Sequence, residues 1–168
     1  IKISCKMNSN FNPLSPEELV SRINKIPRIR LAQLPTVLEY APNISKELNI
    51  NLYIKRDDCT ALAFGGNKTR HLEFIMAKTL SGEYDCILTG AASQSNFCRQ
   101  AVAAANKLNL DSYLVLMHGV KGKLMQGNFL LYNILGANVD VVDGENLEDI
   151  PKHLDKKYDE LIKEGRKP

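Results

Sequence analysis

From residue 67 onward, the apolar positions fall into a repeating order of helix and strand. Helices are predicted over about 67–80, 95–108 and 123–135, with strands over 85–89, 112–117 and 138–142. A charged amphipathic helix follows over about 147–163, in which Ile150, Leu154, Tyr158 and Leu161 recur at helical spacing. Ile87-Leu88 and Leu114-Val115-Leu116 are continuously apolar, as central strands buried on both faces must be. The alternation predicts an α/β fold with a mostly parallel open sheet and helices on both faces.

Upstream the pattern is less regular. Ser15-Pro16-Glu17-Glu18 reads as a helix start, with a capping serine, proline at the first helical position and acids in the first turn. That helix is short and ends before Pro27. Between Pro27 and Pro42, prolines oppose any long regular element, and Leu31, Leu34, Val37, Leu38 and Tyr40 suggest an extended segment laid across a surface. A two-turn helix is expected over 44–48 and a short strand over 52–56. Residues 1–12 are polar and aperiodic, and read as a mobile arm. Glu164-Gly165-Arg166-Lys167-Pro168 gives a helix stop followed by proline, the way a chain turns toward a further strand.

Composition narrows the function classes. With 44% hydrophobic and 24% charged residues, the chain can build a packed core. A net charge of +3 without a basic block argues against nucleic-acid binding, and no apolar run is long enough to span a membrane. The first residues lack a secretory apolar core, so the expected location is cytoplasmic. Cys5, Cys59, Cys86 and Cys98 show no ligand or disulfide spacing and read as reduced packing residues. His71, His118 and His153 form no metal pattern, and no metal is expected. Asp57-Asp58 reads as a solvated turn with local ion pairs.

Two constellations could carry chemistry. In Phe64-Gly65-Gly66-Asn67-Lys68-Thr69-Arg70, paired glycines open backbone conformations closed to other residues, Asn67 is placed to cap a helix, and Lys68 falls in its first turn. Partial positive charge at a helix N-terminus disfavours a cation there and favours the neutral, nucleophilic amine. The alternative is a turn followed by an exposed helical lysine. In Thr89-Gly90-Ala91-Ala92-Ser93-Gln94-Ser95-Asn96, a small polar loop follows a buried strand, where α/β sheets gather anionic ligands. Ser95 and Asn96 could bind anionic oxygen there, or Ser95 could serve only as a helix cap.

Taken together with Lys55-Arg56-Asp57-Asp58, Leu72-Glu73-Phe74 and Arg99-Gln100, these motifs resemble the 1-aminocyclopropane-1-carboxylate deaminase / D-cysteine desulfhydrase family. The similarity runs from about residue 29 to the end and covers the N-terminal half of the family pattern. It implies a tryptophan-synthase-β-like fold (PLP fold type II) and pyridoxal 5'-phosphate as cofactor. Residues 1–80 would belong with the larger domain and carry the Schiff-base lysine, and 81–168 would form the small α/β domain and the start of the return to the missing half. Lys68 and Ser95 would be catalytic; Lys68, Asn67, Asn96 and His71 would meet the cofactor; Gln94, Ser95 and Asn96 would meet the substrate. The implied reaction releases ammonia and a 2-oxo acid from a small amino acid, D-cysteine or 1-aminocyclopropane-1-carboxylate.

Departures from the pattern are Phe97, where the family carries His or Gln, and His71, where it carries a second lysine. With the second half of the pattern missing, the expected form is truncated or split, and weak in cofactor binding when alone. The expected partners are a second copy of the chain or a complementary C-terminal fragment. The alternative is a catalytically inactive binding or assembly module derived from this family.

Overall fold

The computed structural model describes residues 13–118, 124–143 and 147–168. The arm expected over 1–12, Cys5 and the start of the helix expected from Lys123 lie outside the described residues. In chain order the elements are α1 (Pro16–Ile23), β1 (Leu38–Tyr40), α2 (Pro42–Leu48), β2 (Tyr53–Lys55), α3 (Lys68–Ser81), β3 (Cys86–Ala92), α4 (Asn96–Lys107), β4 (Asp111–Met117), α5 (Gly127–Ile134), β5 (Asn138–Val142) and α6 (Ile150–Lys163). Short 3-10 turns at Asp57–Thr60 and Leu62–Phe64 lead into α3.

Three strands pair in parallel in the order β3-β4-β5, and helices cover both faces, as the alternating pattern predicts. On one face Leu114 and Leu116 of β4 pack with Cys98 and Val102 of α4 and with Phe129 and Tyr132 of α5. Outside α4 lies α3, and Leu72 and Met76 meet Ala101, Ala104 and Ala105 there. The small alanine side chains let α3 and α4 approach closely. On the opposite face α6 covers β3 and β4 and buries Ile150 and Leu161, while Lys157 bonds Asp140 at 2.8 Å and lies over the Tyr113 ring. Tyr158, expected on the packed side of that helix, is exposed.

The N-terminal expectations hold in part. Ser15 caps α1 by accepting the Glu18 N–H at 3.1 Å, but α1 buries none of its residues. The segment between Pro27 and Pro42 is not wholly irregular, because β1 pairs antiparallel with β2, Glu39 opposite Ile54. Leu31 packs into the cluster formed by α3 and α4, whereas Leu34 and Val37 are exposed. The anchor for Leu31 is Glu73, a buried acid on α3 whose carboxylate accepts the N–H groups of Leu31 and Ala32 at 3.0 and 2.9 Å.

Candidate active site

The route into α3 is strained. Ala61, Ala63 and Phe64 have φ of 71°, 45° and 68°, and Gly65 and Gly66 follow at 74° and 130°. Left-handed backbone costs a residue with a side chain roughly 1–2 kcal/mol, so this run persists only where its surroundings hold it. Several groups do so. The buried Thr60 hydroxyl donates to the Gly66 carbonyl and accepts from the Gly66 N–H, both at 2.9 Å. The Gly66 N–H also reaches the Asp57 carbonyl at 2.9 Å. Asp57 in turn accepts two hydrogen bonds from Arg70, at 2.8 and 2.6 Å, which hold its carboxyl below the usual range against the opposing effect of burial. Only Asp58, bonded to Arg56 at 2.7 Å, is the local exposed pair that the sequence suggests; Asp57 is a half-buried brace.

Lys68 opens α3 and is half-buried, and its amine makes no hydrogen bond or ion pair among the described residues. Asn67 does not cap the helix. Its backbone is already helical (φ −65°, ψ −18°) and its side chain makes no capping bond. The N–H that a cap would serve belongs to Thr69, and it donates instead to Gln100 Oε1 on α4 at 2.7 Å. The Thr69 hydroxyl donates to the same oxygen at 2.6 Å. His71, one turn further on, is exposed and likewise unpaired among the described residues.

The second constellation lies at the carboxyl end of β3. Ser95 is the N-cap of α4 and accepts the Cys98 N–H at 3.3 Å. Asn96 is exposed at the first position of the helix. Gln94 is engaged at both ends of its side chain: Oε1 accepts the Asn128 N–H at 2.9 Å, and Nε2 donates to the Gln126 carbonyl at 3.0 Å. The Asn128 side chain donates to the Gln94 carbonyl at 2.8 Å and to Asn96 Oδ1 at 3.0 Å. Arg99 then joins the two constellations, donating to Asn128 Oδ1 at 3.2 Å and to the Gly65 carbonyl at 2.9 Å. Asn128 and Tyr132 are absent from the sequence reading, since nothing local marks them; they act on residues 29 to 37 positions away.

Tyr132 is buried and donates its hydroxyl to the Ser95 carbonyl at 2.8 Å. Substitution by phenylalanine leaves that carbonyl with one bond fewer and is expected to cost about 1 kcal/mol, read as a lower denaturant midpoint at unchanged slope. The two buried thiols are held in the unreactive protonated form. Burial, with Asp85 alongside, pushes the Cys86 thiol up to about 12, and burial raises that of Cys98. Cys59, expected to be a packing residue, is exposed. Among the described residues no group of acids, histidines and cysteines could hold a metal ion, and no helix is long and apolar enough to cross a membrane.

A family profile described as "Pyridoxal-phosphate dependent enzyme" matches residues 29–168. The chain belongs to this family. Among its relatives, a Pyrococcus horikoshii protein named as a candidate 1-aminocyclopropane-1-carboxylate deaminase is 40% identical over 152 residues, covering 90% of this chain and 46% of that protein. A D-cysteine desulfhydrase of Klebsiella pneumoniae is 37% identical over 153 residues, 89% of this chain and 46% of that protein. The crystal structure of an ACC deaminase homologue superposes with a TM-score of 0.83 at 39% identity, over 92% of this chain and 46% of that one. The chain therefore spans about half the length of the curated relatives it matches.

The residues present suit the family's cofactor in part. An unengaged, half-buried amine suits an aldehyde, and the exposed Asn96 amide at a helix N-terminus suits an oxygen carrying negative charge.

Proposed function

We propose that this chain forms part of a pyridoxal-phosphate-dependent deaminase or desulfhydrase acting on a small amino acid. The supporting observation is Lys68, whose amine, unpaired among the described residues, follows directly on a strained loop that Arg99 ties, through Asn128, to the Ser95–Asn96 turn. The cofactor, when bound, supplies an electron sink for charge developing on the amino acid carbon. On this reading the Lys68 amine holds the cofactor and, once released, moves protons at the reacting carbon. The Ser95 hydroxyl and the α4 N-terminus bind the substrate carboxylate, and the Asn96 amide donates to the cofactor's ring oxygen. With water consumed, the products are ammonia and a 2-oxo acid, and sulfide as well from D-cysteine.

The domain assignment belongs to the same reading. Residues 1–80 go with a larger domain and 81–168 form the smaller one and the start of the return toward the larger, with the family's C-terminal half, in the same or a second polypeptide, completing the site. Supporting it are the exposed apolar side chains of the N-terminal region, among them Val37 and Leu38 at 62% and 61% exposure.

The test is to add pyridoxal phosphate to the chain, alone and mixed with the C-terminal half of the D-cysteine desulfhydrase relative. A visible absorbance band is expected that Lys68→Ala removes, with ammonia released from D-cysteine or 1-aminocyclopropane-1-carboxylate in the mixture. Absence of the band in both preparations overturns the enzymatic reading and favours a noncatalytic assembly module.

A further inference from the structure

The side-chain amide of Asn128 lies between two groups of fixed polarity. Arg99 can only donate, so the Asn128 atom it meets at 3.2 Å is the oxygen. The Gln94 backbone carbonyl can only accept, so the Asn128 atom 2.8 Å from it is the nitrogen. The two constraints agree and remove the usual ambiguity in orienting an amide. That same nitrogen faces Asn96 at 3.0 Å, and a donor must be met by an acceptor, so Asn96 turns Oδ1 inward. Asn96 Nδ2 is then left pointing away from Asn128, with no partner among the described residues.

We infer that Asn128 is a positioning residue that fixes Asn96 as a hydrogen-bond donor toward the candidate site, with Arg99 setting the direction of the relay. The inference rests on the proposed function for its meaning, since a donor at Asn96 is what an anionic ring oxygen requires. Its geometry stands without that reading. The relay also joins the two loops, because the arginine that orients Asn128 also bonds the Gly65 carbonyl. Gln94 backs the arrangement from the other side, with Oε1 on the Asn128 N–H and Nε2 on the Gln126 carbonyl holding the Asn128 backbone in place.

Asn128→Asp is the informative substitution, being close in shape but unable to donate as a carboxylate. Arg99 still bonds it. Facing an acceptor, Asn96 is expected to turn over, donate Nδ2 inward and present its oxygen to the site. Side-chain amide NMR of the chain reads this directly and needs no cofactor. In the unsubstituted protein the Asn128 NH2 is expected to be protected from solvent exchange and the Asn96 NH2 to exchange freely; in Asn128→Asp the Asn96 NH2 becomes protected. Pyridoxal phosphate titration is the second readout, with binding weakened by about 10- to 100-fold, as for loss of a hydrogen bond to a charged group. Asn128→Ser, which retains a donor, is expected to recover part of that loss. An Asn96 NH2 already protected in the unsubstituted protein, or unchanged by Asn128→Asp, overturns the inference. If the amides behave as expected while no preparation binds pyridoxal phosphate, the functional proposal fails and the relay stands.

Discussion

Replacing Glu73 with alanine is expected to lower the unfolding free energy by about 3 kcal/mol, because it removes a buried anion that satisfies three donors at once. Its side chain is buried on α3; Oε1 accepts the Leu31 and Ala32 N–H groups, and Oε2 accepts Arg28 Nε at 2.6 Å. Without it, two backbone donors and a guanidinium lose their partner, and the backbone bonds left to the segment carrying Leu31 are those of the Ile29 N–H to the Glu73 carbonyl and the Gln33 N–H to the Thr60 carbonyl. Burial alone would raise the Glu73 carboxyl, but the hydrogen bonds from Ala32, Leu31 and Arg28 outweigh it and hold the carboxyl below its ordinary value of 4.5. A depressed carboxyl contributes stability that is fully present above its unfolded value and lost as pH falls through the lower folded value. Urea midpoints measured from pH 7 down to about 3 should therefore fall, and fall less steeply in Glu73→Gln. An equally steep acid limb in that variant would assign the pH dependence to other carboxylates, Asp57 first among them.

Gly65→Ala is the second large effect. At φ 74° and ψ 179°, Gly65 occupies a region essentially reserved for glycine. A Cβ there would stand 1.8 Å from the Asp58 carbonyl oxygen and 2.7 Å from its carbon, which are backbone atoms that no rotamer change can move. The expected cost is at least about 3 kcal/mol, from strain of roughly 1–3 kcal/mol plus the displacement of the 57–60 turn. Because Lys68 follows three residues later, the same change is expected to abolish the Lys68-dependent absorbance even in preparations that remain folded at low temperature. Retention of both the midpoint and the band would show that the loop can take another path.

The sheet was legible because its signals are local. β4 reads as a central strand from Leu114-Val115-Leu116 alone, and all three are buried. The α1 cap is legible for the same reason, as Ser15 and Glu18 lie three residues apart. What escaped depends on partners distant in sequence. β1 has only three residues and exists through its pairing with β2. Asn67 has the chemistry of a cap, but Gln100 already meets the Thr69 N–H from 31 residues away. Glu73 looks like an ordinary helical acid until the 28–32 segment folds back onto it. At the candidate site, the lysine and the Ser-Asn turn announce themselves by residue type beside glycine or after a buried strand, whereas Asn128 is an asparagine among many, distinguished only by the three residues that converge on it.

The bond from Thr69 to Gln100 and those from Asn128 to Gln94 and Asn96 also order events in time. Synthesis proceeds from the N-terminus, so a ribosome that has released the chain only as far as residue 95 has delivered Lys68 without the glutamine that sets its helix. The donor direction at Asn96 is fixed only after residue 128 has emerged. Throughout that interval the loop before α3 has its own bonds from Thr60 and Asp57 but lacks those of Arg99 and Gln100, and on the proposed reading cofactor capture would wait for α4 and α5 to dock.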